Sequence, residues 1–287
     1  MLIFVWNGSS GQFWKISYEA RREAKRSWPV KLLFLGTGTS QGVPMIGCSC
    51  AVCRSSDPRD QRLRSSVALF IRDKVWVIDT GPDFRFQALR YGLPTVDAIL
   101  FTHAHKDHTA GLDDVRPYNY LQNKRISVYA DSLAALQLRR EFAYAFGEAN
   151  YPGVPLLDLW EIQALGCFSL HGVEVWPLPL WHYKLPITGY RVGGLAYLTD
   201  VSRIPEETWP YLEGLEVLVL SALRREPHIA HLHLEAAVEV VARVRPQRAY
   251  FTHISHLMGL HAEVEADLPE GVFLAYDGLE VHLSEPA

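Results

Sequence analysis

No stretch of this sequence stays apolar for the roughly 20 residues that a bilayer-crossing helix needs. The N-terminus offers no signal peptide either, because Leu2-Ile3-Phe4-Val5-Trp6 is too short for an apolar core and has no positive charge before it. The expected compartment is therefore the cytoplasm. Basic charge is also in short supply. Against 32 Asp and Glu the chain has 28 Lys and Arg, a formal net charge of -4, which argues against a protein that tracks nucleic-acid phosphates. Cysteine is scarce, with four in 287 residues, and three of them crowd into Cys48-x-Cys50-x-x-Cys53. In a cytoplasmic chain that crowding reads as metal ligation rather than a disulfide framework. Cys167 stands alone and reads as a small buried hydrophobe.

What is present suffices for a sizeable core: 48% of residues are hydrophobic and 21% charged. Residues 1–29 look unlike the rest, with a Gly-Ser-Ser-Gly stretch and a basic run from Arg21 to Arg26. They are expected to be a leader, either disordered or an extension of the reading frame. The competing reading is a helix over Tyr18–Ser27 docked through Trp14 and Trp28. Regular organisation begins at Val30, and residues 30–287 carry no internal repeat, low-complexity tract or linker, which predicts one domain.

Strands are expected at Val30–Leu35, Val67–Ile71, Val75–Asp79, Ala98–Thr102, Val173–Pro177, Gly189–Val192, Leu195–Thr199, Val217–Leu220 and Arg248–Thr252. Helices are expected at Phe84–Tyr91, Ser132–Phe146 (capped by Asp131 or Ser132) and Leu234–Val244.

The strongest chemical signal is His103-x-His105-x-Asp107-His108, directly after the apolar run Ala98–Phe101. Four potential ligands in six residues can face one point if the chain turns at the strand end. Imidazoles with a carboxylate suit Zn²⁺, Mn²⁺ or Fe²⁺. The bland alternative is a polar loop that happens to be rich in histidine.

This motif resembles that of the metallo-β-lactamase superfamily, and the resemblance runs from residue 31 to about residue 283. It implies an α/β fold, an αββα sandwich of two mixed sheets flanked by helices. It also implies that His182, Asp200 and His253, each near a later strand end, complete a two-metal site. One ion would take His103, His105, His182 and Asp200, and the other Asp107, His108, His253 and the bridging Asp200. Asp79, in Ile78-Asp79-Thr80-Gly81, matches the family's strand-end aspartate that orients the metal-binding histidines. A turn aspartate before Gly81-Pro82 is the simpler reading.

Further stretches resemble the PhnP-type phosphoribosyl cyclic phosphate phosphodiesterases. They are Leu35-Gly36-Thr37-Gly38-Thr39-Ser40-Gln41-Gly42-Val43-Pro44, the cysteine run, Gly111 to Asn119, and Thr252-His253-Ile254-Ser255-His256. That resemblance implies a structural zinc held by Cys48, Cys50, Cys53 and His256, since a structural zinc wants a closed set of four ligands. It also implies a phosphate-contacting histidine at His231, with His228 and His233 as neighbouring alternatives.

The implied activity is hydrolysis of a small, cyclic-ribose type phosphodiester. Two Mn or Zn ions, with Asp107 in the catalytic set, would activate a hydroxide, and a protonated His231 would act as general acid. Arg116 is a candidate phosphate clamp, although a surface-paired arginine is the commoner case.

Within the fold, the alternative enzyme is a tRNA-maturation endonuclease, and the non-enzymatic alternative is an accessory protein of cofactor biosynthesis such as the pyrroloquinoline-quinone type. The expected partners are a small phosphodiester and at most a second copy of the chain, a homodimer. No nucleic acid and no membrane are expected.

Overall fold

A computed structural model describes residues 30–146 and 153–285, together with the backbone of two short strands at 3–7 and 12–16. Those strands, β1 (Ile3–Asn7) and β2 (Gln12–Ile16), pair antiparallel. The remainder of the expected leader, including the helix weighed for Tyr18–Ser27, lies outside the described residues.

From Val30 the chain lays down β3 (Val30–Gly36), β4 (Ser66–Ile71), β5 (Lys74–Ile78), β6 (Ala98–Leu100), β7 (Ile126–Ala130) and β8 (Leu157–Glu161). It then builds β9 (Phe168–Leu170), β10 (Val173–His182), β11 (Leu185–Val192), β12 (Leu195–Leu198), β13 (Val217–Ser221), β14 (Arg248–Thr252), β15 (Val272–Leu274) and β16 (Glu280–Leu283). Two seven-stranded sheets result, in the orders β16-β3-β4-β5-β6-β7-β8 and β15-β14-β13-β12-β11-β10-β9. Each is half antiparallel and half parallel, the parallel halves being β5 to β8 and β12 to β15.

The sheets face each other across one core layer that includes Leu32, Trp76, Tyr190, Tyr197 and Val219. The strands alternate, so the neighbouring residues point outward. Val77, Ile99 and Phe101 meet α1 (Phe84–Arg90), α3 (Arg116–Gln122) and α4 (Ser132–Glu141), to which Phe84, Tyr118 and Leu138 belong. Leu220 and Phe251 meet α6 (Leu234–Val244) and α7 (His261–Ala266) on the other outer face. Strands covered on both faces read as continuous apolar runs, as Lys74–Ile78 does after its first residue. The four layers are those of the expected αββα sandwich.

Several boundaries differ from expectation. The segment Ser132–Phe146 is broken at Phe142 into α4 and a short α5 (Ala143–Phe146). Asp131 caps α4, its carboxylate accepting from the amides of Leu133 and Ala134 at 2.8 and 3.0 Å. Strand β10 runs ten residues instead of stopping at Pro177. Beyond its three-residue pairing with β9, one edge of β10 is free of strand partners, so Pro177 and Pro179 break no ladder. Strand β11 correspondingly starts at Leu185 rather than Gly189. Cys167, expected to be buried, is exposed, because it follows the turn at Leu165-Gly166 that leads into edge strand β9.

The loop after β5 is locked to the loop after β6. Thr80 donates its amide to the carbonyl of His108, and Gly111 donates to the carbonyl of Thr80, both at 2.8 Å. Gly81 lies so close that a Cβ there would collide with the backbone carbonyl of Asp107. Gly81→Ala should therefore cost on the order of 1–3 kcal/mol of stability. It should show as a lower thermal midpoint and as weaker metal retention, because Asp107 and His108 must move. An unchanged midpoint would mean that this close approach constrains nothing.

Candidate metal centre

Parallel neighbours end on the same side of a sheet, and both sheets place their parallel strand ends at one edge of the sandwich. Asp79 follows β5, His103 lies just past β6, Asp200 just past β12 and His253 directly after β14. His182 closes the long β10. His105 precedes the one-turn helix α2 (Lys106–Thr109), which turns Asp107 and His108 back toward the strand ends.

Three of these residues, Asp79, Asp200 and His253, sit at φ of 63°, 59° and 57°. Non-glycine residues in that left-handed region are uncommon, and such strain tends to gather at functional sites.

Asp79 organises the histidines. Its Oδ2 accepts from Nδ1 of His108 at 2.7 Å and from the hydroxyl of Thr102 at 2.8 Å, and its Oδ1 accepts from the Thr102 amide at 2.9 Å. The Thr102 hydroxyl, its proton committed to Asp79, accepts from Nδ1 of His103 at 3.0 Å. His182 in turn donates Nδ1 to the carbonyl of Ala230 at 2.8 Å. Each contact spends Nδ1 and leaves Nε2 bare, which is how imidazoles are oriented for metal ligation.

The bare atoms converge on Asp200. One of its oxygens lies 3.2 Å from His108 Nε2, and the other lies 3.2 Å from His253 Nε2 and 3.8 Å from His231 Nδ1. His108 Nε2 is also 3.3 Å from Asp107. Even so, Nε2 of His103 and of His108 are buried with no aligned hydrogen-bond partner in the protein. These groups aim at shared points between them rather than at one another. A buried polar atom left so costs about 1–3 kcal/mol, and divalent cations would satisfy the set. The residues fit the implied ions.

Three groups of ligand atoms fall within 4.8 Å of one another: His103, His108 and Asp200; His182, Asp200 and His231; and Asp107, Asp200 and His253. Asp200 belongs to all three. His105 is exposed and joins none of them, but its ring lies 4.6 Å from His103 and 5.3 Å from His182.

The electrostatics follow from this crowding. Burial and the neighbouring His108 drive the His103 imidazole well below its ordinary range, so it is neutral. Burial likewise lowers His253. Burial opposes charge on His108 too, but Asp200 and Asp79 outweigh it and raise its imidazole well above the ordinary range. Asp200 is buried, yet His253 and His108 hold its carboxyl well below the usual carboxylate range.

A second cluster lies apart. The sulfurs of Cys48 and Cys50 each stand 3.4 Å from Nδ1 of His256, and Cys53 completes a group of four ligand atoms within 4.8 Å. The His256 contact, with the Cys53 amide, lowers the Cys50 thiol to about 6, into the range where thiolate forms readily. The four could close a tetrahedron around one zinc.

Of the three candidate phosphate histidines, the structure brings His231 into the cluster, with its ring 4.5 Å from His182 and 5.1 Å from His253. His228 packs behind it at 5.2 Å, and His233 faces Glu235 at the start of α6. Burial and the neighbouring His253 lower His231 to about 3, so its ring is neutral at pH 7, unlike the protonated acid expected. Arg116 is exposed and donates to the carbonyl of Gly153 at 2.7 Å, the commoner surface role. Sequence reasoning missed Thr102 and the Ala230 carbonyl as orienting partners. A hydroxyl flanking the first histidine is a usable signal for Thr102, whereas a backbone carbonyl has none.

The profile of the beta-lactamase superfamily domain matches residues 76–254. A crystal structure of a new diphosphatase from the PhnP family superposes with a TM-score of 0.84 at 42% identity, covering 90% of this chain and 99% of that one. An octanoyltransferase of Porphyromonas gingivalis is 39% identical over 259 residues, 89% of this chain. This chain spans 52% of that protein, about half its length. The coenzyme PQQ synthesis protein B of Methylobacterium nodulans is 31% identical over 66% of this chain and 72% of its own length. The chain belongs to the beta-lactamase superfamily, and within it to the PhnP family.

Proposed function

We propose that this hydrolase acts on a small phosphodiester through two divalent ions, Mn or Zn. One ion would be held by His103, His105, His182 and Asp200, and the other by Asp107, His108, His253 and Asp200. A structural zinc would be held by Cys48, Cys50, Cys53 and His256. The observation that carries this reading is the convergence of bare, buried Nε2 atoms on the two oxygens of Asp200. The 42% identity to a diphosphatase favours chemistry at phosphorus.

Bound ions would neutralise phosphate charge and make water a nucleophile near neutral pH. The chain's own residues do the rest. Asp79 fixes the orientation of His108 directly and of His103 through Thr102. Asp107 and Asp200 set the negative charge that retains the ions. His231, neutral at pH 7, contributes a hydrogen bond from a ring N–H toward a phosphoryl or leaving-group oxygen rather than a surplus proton.

A diphosphate is the second reading, favoured by the diphosphatase activity of that relative. Steady-state kinetics separate the two. Phosphoribosyl cyclic phosphate and bis(p-nitrophenyl) phosphate should be turned over far faster than a nucleoside diphosphate, and the reverse order would establish the second reading. An accessory role like that of the PQQ synthesis protein B is opposed by the complete His and Asp set.

The ligand assignments make separable predictions. Asp107→Ala and His105→Ala, facing an open site rather than the core, should each lower turnover by orders of magnitude with little change in melting. A melting loss as large as the activity loss would make them structural residues.

His253 and His256 stand three apart, but His253 faces Asp200 and His256 faces the thiols. His256→Ala should release one tightly held zinc and lower the melting temperature, with activity retained in the folded fraction. His253→Ala should lose exchangeable metal and activity with little change in melting. Metal analysis of His256→Ala that finds the tight zinc still bound and the exchangeable metal lost would reverse the two assignments.

A further inference from the structure

Beside His103 and His105 opens a cavity of about 330 Å³, walled by α4 and by the start of β11. Its far wall is apolar. Leu133 and Leu136 on α4 stand 52% and 49% exposed, one helical turn apart, while Ala134, Ala135 and Leu138 of the same helix are buried in the core. Leu185 and Pro186 face them from β11. The exposed side of this helix is thus mixed, with Arg139 and Arg140 toward its C-terminal end and two leucines beside the cavity mouth.

The polar groups lining this cavity are already engaged inside the protein. Asp131 caps α4 and accepts from the Thr188 hydroxyl at 3.1 Å. Gln137 donates to Glu141 at 2.7 Å, and Glu141 holds Lys106 in an ion pair. Among the described residues no lysine or arginine lines the cavity. A second phosphoryl group would find no cation there, and a sugar would find few free hydrogen-bond partners. The imidazoles of His103 and His105 form the remaining wall, so the cavity opens directly beside the His and Asp cluster.

We infer that this cavity is the subsite for an apolar organic group of the substrate, an alkyl or aryl ester arm on the phosphoryl centre. The inference rests on the reading of the His and Asp cluster as the reacting end. A second cavity of about 460 Å³ shares Asp131, Leu133 and Pro186 with the first and includes Ile162, Pro179 and Ile187 in its wall. A longer arm can pass over Leu133 and Pro186 into it.

The test is calorimetric binding of methyl-, butyl- and octylphosphonate to the metal-loaded protein, paired with turnover of the matching alkyl p-nitrophenyl phosphate diesters. Each methylene buried should tighten binding about fourfold, with kcat/KM rising along the same series. Leu136→Asp and Leu133→Asp, both at exposed positions, should flatten the chain-length dependence, read within each variant as the ratio of octyl to methyl affinity. Affinity that does not change with chain length overturns the inference, as does a rise that persists undiminished in both aspartate variants. Turnover without chain-length dependence overturns this inference alone and leaves the hydrolase reading in place. Chain-length-dependent binding without turnover of any diester keeps the subsite and removes the phosphodiester reading.

Discussion

Everything at the open edge of this sandwich depends on one carboxylate, Asp200, being approached on both oxygens by buried imidazoles, of which His108 Nε2 and His231 Nδ1 find no hydrogen-bond partner. His108 and His253 stand 3.2 Å from its two oxygens, His231 stands 3.8 Å away, and Asp107 comes within reach through His108. Ionised carboxylates and bare imidazole nitrogens packed this tightly, most of them buried, are costly unless compensated by charge of the opposite sign. Nothing in the packing requires this arrangement. The interlayer core made by Trp76, Tyr190, Tyr197 and their neighbours is a separate apolar cluster to which Asp200 and its imidazole neighbours do not belong. The left-handed backbone at Asp79, Asp200 and His253, costing on the order of 1–3 kcal/mol each, points the same way. Local stability is given up at the positions where chemistry is concentrated.

The sheets make the convergence possible. Each has a parallel half, and parallel strands end together, so β5 and β6 deliver Asp79 and the His103 loop side by side. Strands β12 to β14 do the same for Asp200 and His253. The glycine at 81 and the paired amides of Thr80 and Gly111 then hold the two loops of the first sheet against each other. The positions of the candidate ligands are thus set by backbone contacts.

That logic explains what was legible in the sequence. Apolar runs buried on both faces announced β3, β5, β6, β13 and β14, and the ligand motif was visible because its spacing belongs to one loop. Elements whose existence depends on partners were harder. Strand β10 continues through two prolines because only its β11 edge is paired there, which no local pattern reports. Strands β7 and β8 went unread although Ile126-x-Val128-x-Ala130 alternates, because a five-residue strand carries little signal without its neighbours. Cys167 went the other way, read as buried from its residue type and exposed by a turn. The single histidine that reaches Asp200, out of His228, His231 and His233, is selected by a loop path that sequence spacing does not encode.

The cysteine cluster enters this scheme as a mechanical support. Residues 253–256 carry His253 at one end and His256 at the other, and the glycine-rich loop after β3 clamps the middle. Ile254 donates its amide to the Thr37 carbonyl at 2.9 Å, and its own carbonyl accepts from the Thr39 amide at 3.1 Å. The same loop leads into the segment bearing Cys48, Cys50 and Cys53. A closed four-ligand zinc would therefore join two loops that are distant in sequence and adjacent in space, tightening the clamp around Ile254. His253 remains anchored by β14 and by its approach to Asp200. The clamp and the strand are independent restraints on one segment. This is the physical reason that breaking the cysteine site should loosen the fold more than it disorganises the reacting cluster.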